Sequence, residues 1–359
     1  MTQSCLDTLI ELMNLPAPTG QEEPVLAWCR ERWAGLGAEI EVAPIGNVLA
    51  HAGGTGPRLL LQGHADEISF IVRSIDDRGF VWLADGQGSR RTFHDRYPVG
   101  QPALILTRTG ERVPGVFVSP TGHVLSTRNE REERLPDNAS TVCVDIGAES
   151  RDEAVALGAH PGAGVIWNPE TRRYGRRYVG KAIDNRISIA LMTHLLMTVP
   201  VGERRYTLTL AATVQEEIGL LGAWSLASPD RFDLAIAIDN GPLADYPGTD
   251  EGEVVGRLGG GPTIVYKDSM AHYDRRVIAR LHEVAAANGI PVQETVYSGF
   301  GSDGVALMRS GVPAALLAIP TRYTHSAFEM GDVRDLDSTL ALLAAFVTTE
   351  AGPLPLGPS

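Results

Sequence analysis

The stretch TLTLAATVQEE, residues 207–217, decides the fold class. It is apolar almost throughout, as a strand covered on both faces should be, and it runs straight into Glu216 and Glu217. Three other segments have the same form. LLLQG at 59–63 leads to His64-Ala65-Asp66, DLAIAI at 233–238 leads to Asp239, and AALLAIPTRYT at 314–324 leads to His325. In an open parallel sheet, ligand sites lie beyond the carboxyl ends of the strands. Separate segments therefore deliver His, Glu, Asp and His to one sheet edge. A further one, Lys181-Ala182-Ile183-Asp184, places an Asp at the start of a helix.

Working outward, the flanking sequence alternates helix and strand. Leu6, Leu9, Ile10 and Met13 recur at helical spacing, so 4–14 reads as a short amphipathic helix ended by Pro16 and Pro18. Thr19 and Glu22 are three apart and read as a capping box for a second helix reaching Leu36. Strand-like segments follow at 38–50 and 58–62. After Lys181 the spacing predicts helices over 184–198, 219–228, 273–288 and 335–350, and strands over 206–214, 233–238, 292–297 and 314–319.

Residues 72–165 differ. Short apolar runs such as Ala103–Leu106 and Gly115–Val118 are separated by Gly, Pro and charged turns, which reads as a small β-rich module. Thr127–Asn138 reads as a surface loop and the tail AGPLPLGPS as poorly ordered. The expectation is an α/β catalytic domain of residues 1–71 and 166–359, interrupted by a β-rich insertion at 72–165.

The 359 residues suit about two domains, and 43% hydrophobic residues allow a sizeable core. A net charge of −13 disfavours nucleic acid and anionic membranes as partners. No apolar run is long enough for a membrane span, and Asp7 and Glu11 interrupt the first apolar stretch, so no signal peptide is expected. Cys5, Cys29 and Cys143 are odd in number and far apart, which points to a reducing cytoplasm and away from a cysteine zinc site. Lys181 and Lys267 are the only lysines in an arginine-rich chain, which sets both apart.

The candidate ligands are two imidazoles and several carboxylates, without thiolate. That set suits zinc, cobalt or manganese. It exceeds the three or so protein ligands of a single catalytic zinc, whereas one bridging carboxylate would serve two ions. His64 and Asp66, two apart in extended chain, face the same way, so the Asp could hold the imidazole. Glu216 and Glu217 point in different directions, so one can bind metal while the other accepts a proton from water. The spacing leaves open which.

At these residues the sequence resembles the glutamyl and deblocking aminopeptidases that form tetrahedral particles, within the clan of co-catalytic zinc exopeptidases, relatives of which are also labelled cellulase-M-like. The motifs are GHADEISF at 63–70, GKAIDNR at 180–186, VQEEIGLLGA at 214–223, AIDN at 237–240, GSDG at 301–304 and IPTRYTHSAFEM at 319–330. The resemblance implies a mixed-sheet catalytic domain interrupted by a PDZ-like β-barrel used for oligomerisation. It implies two divalent ions per subunit, zinc first, with cobalt or manganese as alternatives. His64, Asp184 and Asp239 would hold one ion, and Asp184, Glu217 and His325 the other. Glu216 would be the general base and Asp66 would orient His64. It also implies peptide substrates and a homo-oligomer, with dimers as building blocks of a dodecamer. The peptide after the bridging Asp is often cis in this clan. Asn185 stands where the family usually has Asp, and Ala65 and Thr324 stand where Met is common.

An N-terminal peptidase is the first functional expectation. A deacylase or deblocking hydrolase on N-acyl substrates is the alternative, and a non-catalytic peptide-binding scaffold the third. Arg322, Tyr323, Ser302 and Asp303 are candidate substrate contacts, with Ser302 also read as part of a glycine-rich turn and Asp303 as a support for it. Lys267 is weighed as a contact for an acidic substrate. His51, His94, His123 and His160 read as surface residues. His194 and His282 read as flanking the buried faces of their helices.

Overall fold

The computed structural model describes residues 4–86, 98–118, 142–249, 255–350 and 352. The segment Thr127–Asn138, His94, His123 and nearly all of the tail lie outside them.

In chain order come α1 (Cys5–Met13), α2 (Glu23–Gly35), β1 (Glu39–Val42), β2 (Val48–Gly53) and β3 (Arg58–His64). Next are β4 (Phe70–Ile75), β5 (Val81–Asp85), β6 (Pro102–Leu106), β7 (Arg112–Val118), β8 (Cys143–Asp145), α3 (Arg151–Ala156) and β9 (Gly164–Trp167). The chain continues through β10 (Arg172–Tyr174), β11 (Arg177–Gly180), α4 (Ile183–Thr198), β12 (Thr207–Thr213), α5 (Leu221–Leu226) and β13 (Leu234–Pro242). It ends with β14 (Thr263–Lys267), α6 (Arg275–Ala287), β15 (Gln293–Val296), α7 (Gly304–Arg309), β16 (Ala314–Thr321), β17 (Glu329–Asp332) and α8 (Val333–Thr348).

The main sheet has eight strands in the order β1-β2-β12-β3-β13-β16-β14-β15. Its centre, β12-β3-β13-β16, is parallel, and β14 lies antiparallel to β16. Both faces are covered, which is why the central strands are continuously apolar. Along β3 the side chains alternate: Leu59 and Leu61 join the core that contains α1, α4, α6 and α8, while Leu60 joins the opposite core with Leu226 and Leu307. Fourteen of the sixteen residues of α4 are buried, so this helix is the centre of the larger core.

Strands β4, β5, β8, β7, β6 and β9 close into an antiparallel barrel. Its interior is built on Phe70, whose ring meets Phe117 and Trp167 edge-on at 5.5 and 5.7 Å. Val81, Ile105, Val144 and Val165 complete it. The barrel has its own core, separate from the two that flank the main sheet, and this accounts for the change of texture along the sequence. Among the described residues no helix is long and apolar enough to cross a membrane.

The structure corrects several local expectations. Helix α2 begins at Glu23 without a side-chain cap, so Thr19 and Glu22 form no capping box. Thr19 instead donates its hydroxyl to Asp66 Oδ2 at 3.0 Å, and Glu22 Oε1 accepts the N–H groups of Gly20 and Gln215. The spacing was right for a cap, but tertiary partners took both side chains. His51 lies in β2, between Glu41 and Thr209, rather than on a surface loop. Strand β14 was not anticipated. The three cysteines are free and buried.

Candidate metal centre

The parallel strands bring their carboxyl ends level, with Thr213 of β12 directly opposite His64 of β3. Gly63 makes this possible: a Cβ there would sit 2.3 Å from Ser188 Cβ of α4, so only glycine lets β3 approach the helix. Asp239 lies within β13, after its apolar stretch Leu234–Ile238, and His325 lies in the turn between β16 and β17. Asp184 sits in the first turn of α4 with non-helical backbone, and the Asp184–Asn185 peptide is cis. Ala182, Gln215, Tyr323 and His325, all beside these side chains in sequence, have φ between 53 and 60°. Such left-handed backbone costs on the order of 1 kcal/mol or more per residue and clusters where a site demands it.

Asp184 stands between the two imidazoles. Its Oδ1 lies 3.0 Å from His64 Nε2 and its Oδ2 3.3 Å from His325 Nε2. Asp239 Oδ1 is 3.7 Å from His64 Nε2, and Glu217 Oε2 is 3.6 Å from His325 Nε2. Two groups of ligand atoms, His64-Asp184-Asp239 and Asp184-Glu217-His325, each fall within 4.8 Å. Glu216 adds its carboxylate 3.9 Å from His64 Nε2.

Asp66 is wholly buried and ties three of these groups together. Its Oδ1 lies 3.3 Å from His64 Nδ1, and its two oxygens accept the backbone N–H groups of Glu216 and Glu217 at 3.1 and 3.2 Å. Ser302 donates its hydroxyl to Asp239 Oδ2 at 2.6 Å, and Thr213 donates to Asp303 Oδ2 at 2.5 Å.

The electrostatics describe a buried carboxylate cluster short of positive charge. Burial, with the charges of Glu217 and Asp239, pushes Glu216 well above the usual carboxylate range, despite the opposing pull of His64. Burial and Asp184 raise Glu217 to about 8, although His325 opposes them. Asp239 is also raised by burial. Burial raises Asp184 too, but hydrogen bonds to His325 and His64 outweigh it and hold that carboxyl low. Burial lowers His325, yet Glu217 and Asp184 bring it up to about 9. Both imidazoles are drawn towards their charged form by the surrounding carboxylates, a crowding of negative charge that bound cations would offset.

A cleft of about 570 Å³ opens over these groups. Thr324 and His325 line it, whereas Arg322, Tyr323, Ser302 and Asp303 are not among its lining residues. Arg322 forms a two-pronged ion pair with Asp245 at 2.6 and 2.8 Å, and Tyr323 packs on Tyr246 and Phe328. Lys267 donates to the carbonyl of Asp268 and also lies off the lining.

Three buried groups escaped the reading of the sequence. Glu67 accepts from Lys181 Nζ at 2.9 and 3.0 Å, from Arg186 Nη2 at 3.2 Å and from Ala17 N at 2.9 Å. Arg186 also donates to the carbonyls of Ala65 and Asp66. Glu329 accepts the N–H of Asp184 at 3.1 Å with one oxygen and that of His325 at 3.0 Å with the other. Burial and Asp184 raise its pKa to about 8. The isolated Lys181 was one signal for this layer, and the position of Glu329, four residues after His325, was another.

Residues 46–342 match the model of the family described as M42 glutamyl aminopeptidase. The chain belongs to that family. By family it is a metal-dependent aminopeptidase, a hydrolase of peptide bonds. It is 31% identical to the lysyl aminopeptidase of Pyrococcus furiosus over 86% of each chain. Among solved structures it resembles aminopeptidase APDkam598 from the archaeon Desulfurococcus kamchatkensis, with a TM-score of 0.88 and 29% identity over 96% of this chain and 94% of that one. It also resembles the TET1 peptidase of Pyrococcus horikoshii, with a TM-score of 0.84 and 27% identity over 96% and 99%. That peptidase assembles into a tetrahedron or a large octahedral shell.

Proposed function

We propose that the site holds two divalent ions and removes N-terminal residues from peptides with Glu216 as general base. Zinc is the first choice, with cobalt or manganese as alternatives. His64, Asp184 and Asp239 would hold one ion, and Asp184, Glu217 and His325 the other. The observation that carries this is the placement of Asp184, which turns one oxygen to each imidazole. The donor set fits: Glu217 Oε1 is buried without a hydrogen-bond partner, and the crowded carboxylates call for positive charge.

When bound, the ions polarise the scissile carbonyl and bring the pKa of a water towards neutrality. The Glu216 carboxylate would take a proton from the attacking water and return it to the leaving amine, which completes hydrolysis without net proton change. Asp66 would fix the ring of His64 and, through the two backbone N–H groups it accepts, the position of both glutamates. Ser302 would orient Asp239 rather than touch substrate.

The barrel would serve assembly. The tetrahedron and octahedral shell of the Pyrococcus horikoshii peptidase support a homo-oligomer, with a dodecamer that has dimers as building blocks as the proposed form. Three free, buried cysteines support a cytoplasmic setting.

The test is Glu216→Gln. The variant should keep two metal ions per subunit by elemental analysis and lose roughly 10²–10⁴-fold in kcat. Retained turnover would remove Glu216 from its role, and a single ion per subunit in the wild type would remove the bridged pair.

A further inference from the structure

We infer that the cleft selects peptides whose N-terminal side chain is uncharged and apolar, an inference that rests on the aminopeptidase function proposed above. The ligands occupy the end of the cleft under β12, β3 and β13. The rest of the wall comes from the carboxyl ends of β13 and β15, the segment that precedes β14 and the turn after β15. It carries Pro242, Leu243, Val255, Val296, Tyr297 and Phe300, with Asn240, Ser298 and Thr324 as its neutral polar members. Tyr297 and Phe300 meet edge-to-face with ring centres 5.0 Å apart, and each restricts the other. The volume of about 570 Å³ is ample for a terminal residue with the start of the next.

Among the described residues that line the cleft there is no Lys and no Arg. The ionisable groups that do line it are His64, His325, Asp184, Glu216, Glu217 and Asp239, all assigned above to metal or proton transfer. A glutamyl or aspartyl side chain would therefore lose its water and meet no cation. A lysyl or arginyl side chain would meet no uncommitted carboxylate among the described lining residues. Arg322 and Lys267, the basic residues weighed from the sequence, are bonded to Asp245 and to a main-chain carbonyl instead. A charge that gives up part of its hydration without gaining a partner is disfavoured, whereas each apolar carbon placed against Leu243, Val255, Tyr297 or Phe300 is favoured. The family's descriptive name and the lysyl specificity of the Pyrococcus furiosus relative both involve charged terminal residues. This wall is built for neither.

The experiment is kcat/KM of the metal-loaded protein on aminoacyl-anilides carrying leucyl, methionyl, phenylalanyl, alanyl, glutamyl and lysyl groups. Leucyl, methionyl or phenylalanyl turnover should exceed glutamyl and lysyl by about 100-fold and alanyl by about tenfold. Glutamyl or lysyl turnover equal to the best apolar substrate overturns the inference and leaves the aminopeptidase function standing. Absence of turnover on every anilide with zinc, cobalt and manganese overturns both. A second arm uses Val296→Arg, at a position 55% exposed and able to take a larger side chain. It should raise the glutamyl-to-leucyl ratio at least tenfold, since it supplies the missing cation. An unchanged ratio would mean that this wall does not receive the terminal side chain.

Discussion

Glu67→Gln should be among the costly single substitutions in this protein, for a reason that has a testable sign. The wild-type cluster contains one carboxylate and two cations, with side chains of Glu67, Lys181 and Arg186 that are 2%, 4% and 0% exposed. Gln keeps the shape but removes the only negative charge that both cations share. Breaking a buried pair in this way costs about 3–5 kcal/mol. Lys181→Met is a different perturbation. It leaves Glu67 paired with Arg186 and with Ala17 N, so it should cost about 1–3 kcal/mol, the worth of a hydrogen bond to a charged group. In the Glu67→Gln background the sign reverses. Lys181 is then a buried cation without its hydrogen-bonded carboxylate, keeping only the weaker pull of Glu329, and Lys181→Met should stabilise the protein by about 1–3 kcal/mol. Urea unfolding of the four proteins at one fixed zinc concentration measures all the terms, because zinc itself shifts the midpoint. Two results would refute the reasoning: a Glu67→Gln cost under about 1 kcal/mol, or a Lys181→Met change that destabilises both backgrounds alike.

Glu329→Gln should weaken zinc binding about 10–100-fold in competition with a chromogenic chelator, since the amide can accept only one of the two backbone N–H groups that hold Asp184 and His325; unchanged affinity would reduce Glu329 to a packing residue. Asp335 offers a pH test away from the metal site. Burial raises it to about 6, against the N–H groups of Gly259 and Gly261 that favour its charge. Its folded pKa thus exceeds the unfolded value of about 3.9, so its contribution is complete below pH ~4 and is lost as pH rises to about 6, a change of about 3 kcal/mol. The stability of Asp335→Asn relative to wild type should therefore improve by about 2–3 kcal/mol between pH 4 and pH 7, and a flat difference curve would contradict the assignment.

The catalytic half of the fold was legible because its strands are unusually plain. LLLQG, TLTLAATVQ, DLAIAI and AALLAI are apolar on both faces, so each had to be an interior strand, and β3, β12, β13 and β16 are those strands. Strand β14, TIVYK, escaped because a five-residue run after a glycine-rich segment carries no period that separates it from a loop. Thr19 and Glu22 misled for the opposite reason. Their spacing satisfied a local rule, while Asp66 and the backbone at Gln215 supplied better partners from distant parts of the chain.

The residues that meet at the candidate metal centre could be named because each followed a buried apolar run or opened a helix, and a charged group at such a place needs a partner. Their support could not. Glu67 with Lys181 and Arg186, Glu329 with two backbone amides, and Ser302 with Asp239 are contacts between segments far apart in sequence, and no spacing rule encodes them. By itself the sequence determined the strand ends and the types of candidate ligand, because hydrophobic periodicity and side-chain chemistry are local properties. Only the tertiary structure decided which oxygen of Asp184 faces which imidazole, which charges are buried together, and which apolar side chains gather on one wall of the cleft. Those depend on distance and desolvation, and both come into being only when the chain has closed on itself.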